Sequence, residues 1–123
     1  YEKLSNKSKM GQCMHTIATV EIKGGDYKKA SEALQKSKEL FSQVGDYRGE
    51  ASCLETLMGM YLDAGMYVET VKVGQERINL FQSQGDMHGL GYAMLKLGEV
   101  LLDNEDHMKA LELSQAALGM FAG

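Results

Sequence analysis

Cys13-Met14-His15 is the stretch where a thiol and an imidazole stand close enough in sequence to suggest a metal pair, or a nucleophile with its base. Residues two apart point to different sides of a helix, and no third ligand of usable spacing follows. Glu105-Asp106 pairs two carboxylates, but in a turn, where capping or solvation accounts for them. The fourteen glycines form no phosphate-cradling loop; their positions read as turns and helix contacts. Cys13 and Cys53 fall at the same phase of successive repeats, a placement that puts them roughly 10 Å apart or more, too far for a disulfide. They read as small buried residues, which favours a reducing intracellular compartment such as the cytoplasm. The expectation is a chain with no catalytic residue, no metal and no cofactor.

The elements that carry these residues repeat every 40 positions. Gly45-Asp46 returns as Gly85-Asp86, with Ser5-Asn6 at the same phase. Tyr1, Phe41, Phe81 and Phe121 form an aromatic series; Cys13, Cys53 and Ala93 share a small position, and Ile17, Leu57 and Leu97 a large apolar one. A fixed period of this size marks a solenoid, in which each unit buries its face against its neighbours. Ala93, Leu97, Val100 and Leu101 recur at helical steps, and a second stripe runs through Met108, Leu111, Leu113 and Leu118. Asp86, Asp46 and Asn6 stand at N-cap positions, and Asp26 caps after the glycine turn Gly24-Gly25. The turn Asp63-Ala64-Gly65-Met66 keeps its glycine and loses the cap. The spacing predicts helices over 6–22, 27–43, 46–63, 67–83, 86–103 and 107–121. That is an all-α superhelix of three helix-turn-helix repeats (5–44, 45–84, 85–123) in a single domain over 1–123. The phase of Tyr1 and Phe121 predicts a segment of a longer array, beginning at the tail of one helix.

With no proline, the 123 residues suit uninterrupted helices, and no apolar run approaches the ~20 residues that span a bilayer. Residues 1–44 carry eight Lys and five Asp/Glu, giving +3; residues 45–123 carry five Lys/Arg and twelve Asp/Glu, giving −7. A basic start and an acidic end can orient partners along the chain. No basic stripe is interleaved with stacking aromatics, which argues against nucleic acid. Among the nine methionines, Met14, Met94 and Met108 fall on apolar stripes and read as core.

The helix pairs resemble the tetratricopeptide repeat, whose signature is W-x2-L-G-x2-Y followed by A-x3-F and P. The best copy is Met94-x2-Leu97-Gly98-x2-Leu101 with Ala110-x3-Ser114. The others are Leu54-x2-Leu57-Met58-x2-Tyr61 with Thr70-x3-Gly74, and Met14-x2-Ile17-Ala18-x2-Glu21 with Ala30-x3-Leu34. Ala18, Gly98, Ala30 and Ala110 suit positions where two helices approach closely. The period is 40 instead of 34 and the closing proline is absent, as in the longer repeats of kinesin-light-chain-like scaffolds. Met58, Thr70, Gly74 and Arg77 mark the middle repeat as the soft point. The resemblance implies that the first helix of each pair lines a concave groove where partner peptides lie. By helical phase that groove receives Gln12, His15, Thr16 and Thr19, then Ser52, Glu55, Thr56 and Gly59, then Tyr92, Lys96 and Glu99. Tyr92 is the expected anchor, combining contact area with few lost rotamers. Thr19 and Gly59 stand where a carboxylate-gripping clamp would carry asparagine, so that mode is not expected. The function implied is a protein–protein interaction scaffold or adaptor, binding protein or peptide partners without nucleic acid or membrane insertion. The alternative is a structural subunit embedded in a large assembly through its ends and convex face, to which exposed Leu111, Leu118 and Phe121 would contribute.

Overall fold

Every turn between helices that the structure describes in full is built on a glycine with positive φ, and these glycines recur every twenty residues. Gly25, Gly45, Gly65 and Gly85 have φ of 84°, 75°, 74° and 69°, a region that costs a β-carbon-bearing residue roughly 1–2 kcal/mol. Each glycine closes its helix with paired backbone bonds. Gly45 N–H donates to Ser42 O at 3.1 Å and Asp46 N–H to Phe41 O at 2.9 Å; Gly25-Asp26, Gly65-Met66 and Gly85-Asp86 repeat the pattern. The residue after the glycine then opens the next helix. The Asp26, Asp46 and Asp86 carboxylates accept from the backbone N–H groups of Lys29, Gly49 and Gly89 at 3.2, 2.9 and 2.9 Å. One residue thus ends one helix and caps the following one, leaving little slack between them.

The computed structural model describes residues 2–103 and 106–122, with the side chains of 2–5 and 107 set aside. It contains α1 (Glu2–Lys23), α2 (Tyr27–Gln43), α3 (Tyr47–Asp63), α4 (Tyr67–Gln84), α5 (Met87–Asp103) and α6 (His107–Ala122). No strand occurs among the described residues, and the architecture is an all-α repeat of helix-turn-helix pairs. The chain divides into two compact units, Tyr1–Met66 and Tyr67–Gly123. In the first, α2 packs against both α1 and α3; in the second, α5 packs against both α4 and α6. Within unit 1 the core holds Ala30, Leu34, Phe41, Cys53, Leu54 and Leu57, and within unit 2 Leu90, Ala93, Leu97, Leu101, Ala110 and Ala117. Each fully buried leucine contributes about 1.5–3 kcal/mol. The small positions do mark close approaches. A β-carbon on Gly98 would lie 3.3 Å from Ser114 Oγ and 3.5 Å from Ala110 O. The middle second helix, α4, runs unbroken through Thr70, Gly74 and Arg77, all three buried.

Four expectations need correction. Asn6 is no cap: α1 begins at Glu2 and passes straight through Ser5 and Asn6. Without a glycine at the preceding position, nothing ends a helix there. Tyr1, Asn104, Glu105 and Gly123, which also figured in the sequence reading, lie outside the described residues. Cys13 is exposed while Cys53 is buried, and Ile17 is likewise exposed where Leu57 and Leu97 are buried. The reason is neighbourhood: Cys53 faces Ser37 of α2, whereas among the described residues of the first unit nothing covers Cys13 and Ile17 in the same way. Met108 projects outward from α6 and is exposed, not core.

Three helices of unit 1 are tied by a buried polar relay. The Cys53 thiol donates to Ser37 Oγ at 3.2 Å, and Ser37 Oγ donates to Gly11 O at 2.6 Å. Burial pushes the Cys53 thiol above its ordinary value, outweighing the opposing pull of the Ser37 hydrogen bond and Lys38. A neutral thiol in the fold and a more acidic one in the unfolded chain fix the sign of the linkage. Stability is fully present below the ordinary thiol range and falls as pH climbs through it, by up to about 1.4 kcal/mol per pH unit. Cys53→Ala is expected to remove that slope. Native labelling with a thiol reagent should modify Cys13 promptly and Cys53 at least about a hundredfold more slowly, through local opening. Equal labelling rates would contradict the relay.

Candidate partner-binding surface

In unit 1 the polar residues of α1 and α3 meet. Thr56 Oγ1 lies 3.1 Å from Ser52 O and 2.9 Å from His15 Nε2. The His15–Thr56 hydrogen bond spans two first helices of successive pairs. Thr16 and Thr19 donate backward, to Gln12 O and His15 O, both at 3.1 Å. Their outward sides are oxygen lone pairs. The surface offers acceptors, bordered by the exposed side chains of Gln12, Ser52 and Glu55. A β-carbon on exposed Gly59 would meet nothing within 4 Å, so a partner backbone could approach closely there.

In unit 2, Tyr92 is 40% exposed on α5 and its ring is held by two cations. The Arg77 guanidinium lies 5.1 Å from the ring centroid and Lys96 Nζ lies 5.4 Å away. Arg77 is itself buried, with its guanidinium 5.7 Å from the Phe81 centroid. Lys96 also pairs with Glu99 at 3.7 Å. A half-exposed aromatic already fixed in place loses little entropy on contact, which is what a binding anchor requires.

All eleven predicted residues lie at least partly exposed: Gln12, His15, Thr16, Thr19, Ser52, Glu55, Thr56 and Gly59 in the first unit, and Tyr92, Lys96 and Glu99 in the second. The residues that organise them were not foreseen. Ser37 and Arg77 are buried and polar on second helices, and only a polar type at an inward phase could have signalled them. Two hollows also open in unit 1. One, of about 430 Å³, lies between Tyr27, Ser31, Met60, Tyr61 and Met66; the other, of about 410 Å³, lies between Lys9, Met10, Cys13, Met14 and Leu40. Among the described residues no three His, Cys, Asp or Glu side chains gather as metal ligands, and no helix is long and apolar enough to cross a membrane. Comparison with family models finds no match to this chain, and comparison with curated proteins finds none either.

Proposed function

We propose that the chain is a tetratricopeptide-type interaction module that binds a segment of a partner protein on the exposed faces of its first helices, and that it is not an enzyme. The observation that carries this reading is the Tyr92 ring, 40% exposed on α5 with the Arg77 guanidinium 5.1 Å and Lys96 Nζ 5.4 Å from its centroid. The hydroxyl oxygens of exposed Thr16 and Thr19, whose protons go to Gln12 O and His15 O, support it, because such groups accept N–H donors from a peptide. A second reading, stable embedding in a larger assembly, is favoured by the apolar side chains that α6 leaves in solvent, Leu111 and Leu118 among them.

Peptides selected from a random display library on the whole chain supply the test. Tyr92→Ala combined with Lys96→Ala is expected to weaken their binding at least about tenfold, with Tyr92→Phe retaining most of it. The helical circular-dichroism signal should stay unchanged. Undiminished binding by the double variant contradicts the proposal. Loss of association on Leu118→Glu instead would select the embedded-subunit reading.

A further inference from the structure

Behind the exposed Tyr92 ring runs a closed series of contacts, all inside unit 2. It starts at Gly89 in the first turn of α5, where the backbone N–H donates to Asp86 Oδ1 at 2.9 Å. The Phe81 ring of α4 is seated on Gly89 so closely that a β-carbon there would overlap it, as Phe41 of α2 is seated on Gly49 of α3 in unit 1. A packed interior yields little at such a point, so the residue beneath the ring decides where the ring sits. Arg77 stands one turn before Phe81 on α4, and its guanidinium lies 5.7 Å from the Phe81 centroid. The same guanidinium lies 5.1 Å from the Tyr92 centroid. Tyr92 follows Gly89 by three residues on α5, which returns the series to the helix where it began.

Exposure divides the roles. Arg77 and Phe81 are buried and offer a partner almost no surface, while Tyr92 is half exposed. Lys96, the other cation at the ring, is itself half exposed and shared with Glu99. A cation kept from water attracts a ring face more strongly than one at the surface, so Arg77 is the firmer hold. A guanidinium also suits the task, being planar, permanently charged and able to stack on rings. A side chain ordered before the partner arrives spares the complex the cost of ordering it. We propose, on the reading of Tyr92 as the anchor, that Arg77 and Phe81 are positioning residues for partner binding: seated on Gly89, they hold the Tyr92 ring in the orientation the partner meets. Neither touches the partner. Affinity at the exposed face is thereby set by the buried contact between α4 and α5.

The test is a double-variant cycle on affinity, measured by calorimetry with the whole chain and a display-selected peptide. Tyr92→Ala alone reports on the anchor, and unchanged affinity there would remove the anchor and the positioning role together. With the anchor upheld, Arg77→Met is expected to weaken binding about fivefold in the otherwise unaltered chain, and less than about twofold in the Tyr92→Ala background. Gly89→Ala reaches the same ring without changing the buried charge, by displacing Phe81, and should show the same dependence on Tyr92. Both variants should shift the Tyr92 ring-proton resonances of the free protein while the helical circular-dichroism signal persists. Should Arg77→Met fail to fold, Gly89→Ala decides alone. A general structural role would weaken binding by one factor with or without Tyr92. That result, or folded variants that bind as tightly as the wild type, would overturn the positioning role and leave the anchor standing.

Discussion

Phe41→Ala is expected to destabilise the first unit by about 3–5 kcal/mol, and Phe121→Ala the second by no more than about 1 kcal/mol. The two residues hold one phase of the repeat and rest on equivalent glycines, Gly11 and Gly91. They differ in what covers the ring. Phe41 is closed on its outer side by Gly49 and is 5% exposed, so truncation leaves a cavity that two glycines cannot fill. Phe121 already surrenders much of its surface to water. Urea unfolding followed by circular dichroism measures both, with the transitions of the two units fitted separately where they part. Equal costs would mean that the ring-on-glycine contact contributes nothing beyond the hairpin itself.

Leu57→Ala should cost about 2–5 kcal/mol, while Ile17→Ala should cost less than about 1 kcal/mol. Both lie in the first unit and share a repeat position, which makes the pair a controlled comparison. Leu57 is 0% exposed and Ile17 47%. Helix α2 covers the α3 stripe at Cys53, whereas among the described residues of the unit nothing covers Cys13 and Ile17 of α1 in the same way. The same urea titration reads the difference. A large cost at Ile17 would show that the α1 stripe is covered in solution, through self-association or otherwise.

The helix boundaries were legible because the chain writes them with residues that have a single conformational use. A glycine followed by aspartate ends one helix and starts the next at 25–26, 45–46 and 85–86, and α2, α3 and α5 begin within a residue of the positions read from that signal. Ser5-Asn6 shows what the signal needs. Asparagine can cap, but without a preceding glycine to turn the chain the helix simply continues. Phase also identified which residues form apolar stripes, but not which stripes are covered. That is why Cys13, Ile17 and Met108 came out exposed: burial belongs to a pair of surfaces, and one sequence position describes only one of them. The candidate surface was legible as outward-facing residues. Its organisation was not, since the His15–Thr56 bond and the Arg77–Tyr92 stacking join residues 41 and 15 positions apart. The packing of a phenylalanine ring on the glycine eight residues later recurs, as Phe41 on Gly49 and Phe81 on Gly89, and that shared spacing is written in the sequence.

Nuclear magnetic resonance of the isotopically labelled chain, titrated with a display-selected peptide, locates binding residue by residue. Binding on the first-helix faces requires the largest shifts at Tyr92 and Lys96, with a second cluster at His15, Thr56 and Gly59 wherever the peptide also engages the first unit. Shifts confined to Met108, Leu111 and Leu118 on α6, with Tyr92 and His15 unmoved, would place the interaction on the outer surface and contradict the account.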